Sequence, residues 1–204
     1  MAFGKSFNKQ VNKLPKNLAY LTFGRDFNQS VDYLPKNLIY LIFGDYFNQS
    51  VDKLPQHLTE LTFGSAFNNK VNNLPKSLTY LTFGSNFNQF VDNLPENLTY
   101  LIFGCNFNQK VDKLPKNLNY LFFGYHFNKS INNLPENLSY LIFVNNYYNK
   151  TMDNLPLRLK EIIIPSNEIK KHIRKVPFET KIIINSYLHN GVFYILKKSN
   201  TQYL

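Results

Sequence analysis

The sequence predicts a repeat solenoid, mainly β, in which each 20-residue coil contributes one short strand paired in parallel with the strand before it. Three observations predict it. Prolines recur at Pro15, Pro35, Pro55, Pro75, Pro95, Pro115 and Pro135, each twenty apart, and Gly4 to Gly124 and the Phe-Asn pairs from Phe7-Asn8 to Phe127-Asn128 keep the same step. No residue is inserted or deleted between Phe3 and Phe143, as expected if each copy stacks directly on the last, since a linker-joined array would tolerate slippage. The apolar residues of one copy, Leu98, Leu101, Phe103, Phe107, Val111 and Leu114, fit no helical period, and a unit this short with Pro and Gly has no room for two helices.

Each element of the coil follows from its residues. Leu98 to Phe103 matches L-x-x-L-x-L, the leucine-rich-repeat logic of a short strand whose alternate side chains point inward. Gly104 then releases the strand into a turn where a Cβ would be costly, through positive φ or through close approach of another backbone. The Phe-Asn pair follows. Asn at the same buried turn of every coil, at Asn8, Asn28, Asn48, Asn68, Asn88, Asn108 and Asn128, predicts a structural ladder, because its amide both donates and accepts and buried polar groups must find partners. The column Asn12, Asp32, Asp52, Asn72, Asp92, Asp112, Asn132 ahead of each Leu-Pro reads as capping of the next turn rather than as a cation site. Pro115 opens a short turn or a single helical turn that returns the chain to the next strand. Successive strands then lie about 4.8 Å apart, and stability comes from neighbours stacking, since one coil cannot bury its own apolar face. The expected shape is narrow, slightly curved and right-handed.

The recurring "LTFG-x-x-FN" followed by "LP-x-x-L" resembles the FNIP repeat family, a leucine-rich-repeat-like family of amoebae and amoeba-infecting giant viruses, over residues 1–165. This chain has Gln29-Ser30, Gln49-Ser50 or Gln109-Lys110 where the family name implies Ile-Pro, so that turn differs in detail. The resemblance implies a leucine-rich-like solenoid. Some members carry an F-box, which would imply ubiquitin-ligase adaptor work. It has no counterpart in these 204 residues, and that activity is not carried over.

The two ends depart from the pattern. Met1 falls inside the first strand with no polar cap ahead of it, so the first coil is expected to fray, or else to meet a partner or another copy of the chain. Near the other end Val144 replaces the glycine, one extra residue enters near Tyr147, and Tyr148-Asn149 and Leu155-Pro156 stand for Phe-Asn and Leu-Pro. Residues 166–204 read as a small α+β cap in the same domain, with a helix from Pro165-Ser166 carrying Ile169, Ile173 and Val176 on one face. Ile182–Ile184 and Val192–Leu196 follow as closing strands.

Composition narrows the function. Ile162–Ile164 and Ile182–Ile184 are far too short to cross a bilayer, and "MAFGKSFNKQ" lacks the apolar core of a secretory signal, so no membrane partner is expected. Cys105 is the lone cysteine, which excludes an internal disulfide. Together these predict an intracellular, cytoplasmic setting, the host cytoplasm if the source is viral. The sequons at Asn28, Asn48 and Asn128 are then not expected to carry sugar. His57, His126, His172 and His189 share no metal-ligand spacing, and no Ser/His/Asp arrangement, P-loop or acid pair appears. Neither an enzyme nor a cofactor or metal is expected.

What remains is a surface. If Leu98, Leu101 and Phe103 point inward, Tyr100 and Ile102 point outward. The same holds for Tyr20, Tyr40, Glu60, Tyr80, Tyr120 and Tyr140, with Thr62, Thr82, Phe122 and Ile142 among their neighbours. Such a stripe supports strand formation through cross-strand ladders and also marks a protein-binding face. The expected function is a non-catalytic protein–protein interaction module presenting this Tyr/Ile/Thr-lined face to an unidentified protein partner. The alternative uses charge: residues 157–204 hold nine Lys/Arg against three Asp/Glu, a net +6 within the total of +10. Lys170, Lys171, Arg174 and Lys175 on the cap would then bind an anion or nucleic acid. A third reading is a truncated repeat protein with no independent role.

Overall fold

The computed structural model describes residues 1–186. Nine strands form one sheet in chain order: β1 Tyr20–Thr22, β2 Tyr40–Ile42, β3 Glu60–Thr62, β4 Tyr80–Thr82, β5 Tyr100–Ile102, β6 Tyr120–Phe123, β7 Tyr140–Phe143, β8 Glu161–Ile164 and β9 Lys181–Ile184. Every pair is parallel. From β1 to β7 partners stand twenty residues apart, as in Leu61↔Leu81, so the sequence period is the register. The extra residue shifts the next pair by one, to Leu141↔Ile162.

Inside the coils the apolar columns become continuous ladders. Leu81, Phe83, Phe87, Val91, Leu94 and Leu98 are all buried, and their counterparts join one core along the solenoid. Within a coil Phe83 lies on Phe87 with ring centroids 3.7 Å apart, and between coils Phe63–Phe83 and Phe67–Phe87 stack at 5.6 and 6.1 Å. A fully buried Phe is worth roughly 1.5–3 kcal/mol of transfer free energy, so two per coil supply a large share of the stacking. The Leu-Pro turn closes each coil through a Leu118 N–H donating to Pro115 O at 3.2 Å.

Close approach accounts for the glycines. A Cβ on Gly84 would lie 2.0 Å from Gly64 O, and the same overlap recurs from Gly24 to Gly124. A Cβ on Gly4 would meet nothing within 4 Å among the described residues. Val144 takes the glycine place where the chain changes path: its N–H donates to Phe123 O, and the buried Asn145 side chain donates to Phe127 O and accepts from Tyr147 N–H.

The first coil is tied to the second: Ala2 bridges Thr22, Phe3 N–H donates to Thr22 O, and Met1 accepts from Thr22 N–H and donates its ammonium to Tyr20 O. Extended backbone against a preformed strand is enough to hold it. The C-terminal end differs from expectation. The C-terminal helix, α1 Asn167–Lys170, is a single turn with no side-chain cap. Met152 pairs with Ile173 across a bridge, which ends any helix there, and Val176 is exposed. Thr180 N–H donates to Pro177 O, repeating the Leu-Pro turn, and Ile182–Ile184 lie in β9 as a further coil. The expected strand Val192–Leu196 lies outside the described residues.

Candidate interaction face of the sheet

The tyrosine stripe stands on the sheet face opposite the core, but it is less open than alternation alone implied. Tyr80, Tyr100 and Tyr120 stack nearly parallel, at 4.4 and 4.1 Å between centroids. Tyr20–Tyr40 and Tyr120–Tyr140 continue the row as tilted pairs at 6.2 and 6.5 Å. Tyr20 is exposed, Tyr40, Tyr80, Tyr100, Tyr140 and Phe122 are half-buried, and Glu60 interrupts the row. Ile102 and Ile142, expected at the surface, are buried, as is Thr82. Around Ile142 the cause is visible: Tyr120, Phe122 and Ile163 pack against Ile142 and Val144 as a second, smaller apolar cluster, while Ile102 stands in register with Phe122. Burial raises the hydroxyl pKa of Tyr40, pushes Tyr100 up to about 12 and shifts Tyr120 further still. The Tyr120 hydroxyl is buried with no hydrogen-bond partner among the described residues.

The asparagine ladder is present, and its setting corrects the expectation of a buried turn. Asn8, Asn48 and Asn68 are exposed and Asn28, Asn88, Asn108 and Asn128 half-buried. Each Oδ1 accepts the backbone N–H of the next Asn, at 2.9 Å from Asn8←Asn28 through Asn108←Asn128 and 3.1 Å at Asn128←Asn149. Gln29, Gln49, Gln89 and Gln109 donate to the same oxygens. The rungs lie where the coil turns at its rim, so the side chain replaces a strand ladder that has already ended. The Asp column also behaves otherwise than predicted. Its carboxylates reach between coils, as in Asp32 with Lys53, Asp52 with Asn73, Asp92 with Lys113 and Asp112 with Asn133.

The basic cap is partly neutralised. Lys170, Lys171, Arg174 and Lys175 are all exposed, but Lys171 pairs with Glu168 at 2.7 Å and Arg174 with Asp153 at 3.7 Å. Among the described residues no group of three or more His, Cys, Asp or Glu could hold a metal ion, and no helix is long and apolar enough to cross a membrane. Cys105 is exposed, His126 packs against Tyr125, and His189 lies outside the described residues.

One feature escaped the sequence reading. A cleft of about 980 Å³ opens beside Tyr140, lined among others by Asn119, Ser139, Arg158, Lys181 and Phe178. Leu157 and Phe178, 85% and 91% exposed, flank it. The signal was available: the residue after Leu-Pro is Lys, Gln or Glu from Lys16 to Glu136, then becomes Leu157 and, in the irregular coil, Phe178.

The FNIP Repeat family model matches residues 7–46, 27–66, 67–106, 90–126 and 107–143. Among solved structures, CroV588, described as a novel circular leucine-rich-repeat protein, superposes with a TM-score of 0.78 at 38% identity, covering 89% of this chain and 29% of its own. This chain thus spans less than a third of that protein's length. YopM from Yersinia enterocolitica WA-314 gives a TM-score of 0.39 at 17% identity over 86% of this chain and 48% of its own, a loose likeness on which nothing rests. No curated protein sequence matches the chain.

Proposed function

The chain belongs to the FNIP repeat family, and from that membership we propose that it is a non-catalytic interaction module whose sheet face docks a protein partner. Leucine-rich-like repeat folds are commonly protein-interaction scaffolds. The observation that carries the reading is the stacked row Tyr80–Tyr100–Tyr120, extended by Tyr20, Tyr40 and Tyr140. Tyrosines held in a stack have already lost rotamer freedom, so a partner can cover them at small entropic cost, while each ring offers apolar area and a hydroxyl. Ile102, Ile142 and Thr82, two residues along the same strands, are too buried to serve as contacts, while Phe122 beside them is half-buried. An intracellular setting accompanies this reading, with Cys105 reduced and exposed.

The test replaces the more open members, Tyr20, Tyr40, Tyr80 and Tyr140, by Ser in one variant and leaves Tyr120 in place. Circular dichroism and melting should stay native. Crosslinked partners from the native cell should fall away relative to the wild type. An unchanged partner set on a folded variant would make the stripe purely structural. Binding of an anion or nucleic acid through Lys170, Lys171, Arg174 and Lys175 has less support, because Glu168 and Asp153 already engage two of the four.

A further inference from the structure

Glu60 is the one charged residue in strands β1 to β7, which otherwise carry Tyr, Leu, Ile, Thr and Phe. It takes the tyrosine place of its coil, so β3 sets a carboxylate in register between Tyr40 and Tyr80. The residue is exposed, and its carboxylate has no ion pair or side-chain hydrogen bond among the described residues, in a chain with 23 Lys and Arg. The rings on either side give the gap its shape. Tyr100 stacks on one face of Tyr80, 4.4 Å away and within 10° of parallel, which leaves the opposite face turned towards Glu60. Tyr40 pairs at a tilt with Tyr20, so no ring fills the place between Tyr40 and Tyr80. Two strand spacings, about 9.6 Å, separate the strands that carry these two tyrosines. A group midway lies about 4.8 Å from each, inside the roughly 6 Å reach of a cation–π contact. Burial first, and then the Glu60 charge, raises the Tyr40 hydroxyl pKa, so the field of the carboxylate is felt at that ring.

A protein laid over this face would strand an unpaired carboxylate unless it brought a cation of its own. Arginine suits the place better than lysine. Its planar guanidinium meets a carboxylate through two parallel N–H donors and lays its faces on aromatic rings. We propose that Tyr40, Glu60 and Tyr80 form a slot for an arginine side chain of the protein partner, the guanidinium donating to Glu60 and lying between the two rings. The slot names the chemistry of the partner on the sheet face and rests on that reading of the face. A second copy of the chain is the poorer occupant, because its three arginines are engaged: Arg25 by Asp26, Arg158 by Asn137 and Arg174 by Asp153. A nucleic acid is poorer too, since its phosphates would face the carboxylate.

The probe is an Ala-Arg-Ala peptide blocked at both ends, titrated into the 204-residue protein and followed by NMR at Tyr40, Glu60 and Tyr80. All three should shift, and the affinity should fall as salt rises. The citrulline counterpart, which keeps the shape without the charge, should shift none of them. Glu60→Gln should weaken binding about fivefold, the upper end for an exposed ion pair, and Tyr80→Leu about threefold. Glu60 is exposed and Gln has its shape, so that variant should stay folded, which native dichroism checks. The proposal fails if the arginine peptide shifts none of the three residues, or binds Glu60→Gln as tightly as the wild type. It fails if a lysine peptide or tetramethylammonium binds more tightly, since the slot then does not read a planar fork. It fails too if an oligothymidylate shifts the same residues, or if light scattering shows a dimer that Glu60→Gln dissolves. Crosslinking in the native cell separates the slot from the reading it rests on. A partner set kept by Glu60→Gln but lost when Tyr20, Tyr40, Tyr80 and Tyr140 are replaced by Ser overturns the slot and leaves the sheet face standing. A set kept by both variants overturns both.

Discussion

At the scale of single residues the glycine column shows most clearly how the coil spacing is enforced. Adding a Cβ at Gly64 or Gly84 drives it into the carbonyl of the preceding glycine, and backbone cannot give way as a side-chain tip can. Gly84→Ala is expected to cost about 3 kcal/mol, the upper part of the range for overpacking, whereas Gly4→Ala should change stability by less than about 0.5 kcal/mol. Urea titration of the two variants checks the contrast. Equal effects would mean that conformational freedom, not close approach, selects the glycine. The sequence showed that the position matters without deciding between those two causes, because both produce the same letter at the same step.

The asparagine ladder belongs to the scale of elements, since a rung acts only between coils. Asn68 Oδ1 accepts from Asn88 N–H and Gln89 Nε2–H, so Asn68→Ala strips two donors of their acceptor. A loss of about 1 kcal/mol is expected, at the low end because water reaches the site, and Asn68→Asp, which keeps the oxygen, should recover most of it. Thermal melts of the three proteins test this. An Asp variant no better than Ala would show that the amide nitrogen carries the role. The ladder was legible from the Phe-Asn period. Its position at the rim was not, because a repeated polar residue looks the same whether it is buried or half-exposed. The Tyr stripe failed in the opposite sense. Alternation placed Ile102 and Ile142 correctly on the outer face, but the burial of Ile142 depends on Tyr120, Phe122 and Ile163 packing against it from other coils.

Two expectations concern the molecule as a whole. Because coils contact only their neighbours, excising residues 60–79 joins Thr59 to Tyr80 with the register unchanged. The shortened chain should fold, with a lower Tm and a urea m-value smaller by about a tenth, in proportion to the surface removed. An unfolded product would show that the solenoid is not built of exchangeable coils. Alkaline pH probes the tyrosine row. Tyr100 is pushed up to about 12 from 10.0 by burial, so the folded state holds its proton more tightly than the unfolded state. That contribution is fully present below about pH 10 and is lost as pH rises towards 12. Urea midpoints should therefore fall across this window, more steeply in the wild type than in Tyr100→Phe. A parallel fall in both would place the alkaline sensitivity elsewhere.

The sequence by itself determined the solenoid, its period, the parallel register and the inward columns of Leu, Phe and Val. In a stack each residue's neighbour is the residue twenty positions away, so the one-dimensional pattern already contains the contacts. Tertiary structure alone decided what depends on more than one column. It showed that Ile142 is covered by Tyr120, Phe122 and Ile163, that Lys171 and Arg174 are spent on Glu168 and Asp153, and that a single turn of helix leads into another coil. Net charge counts ions, while only packing shows which of them are already paired.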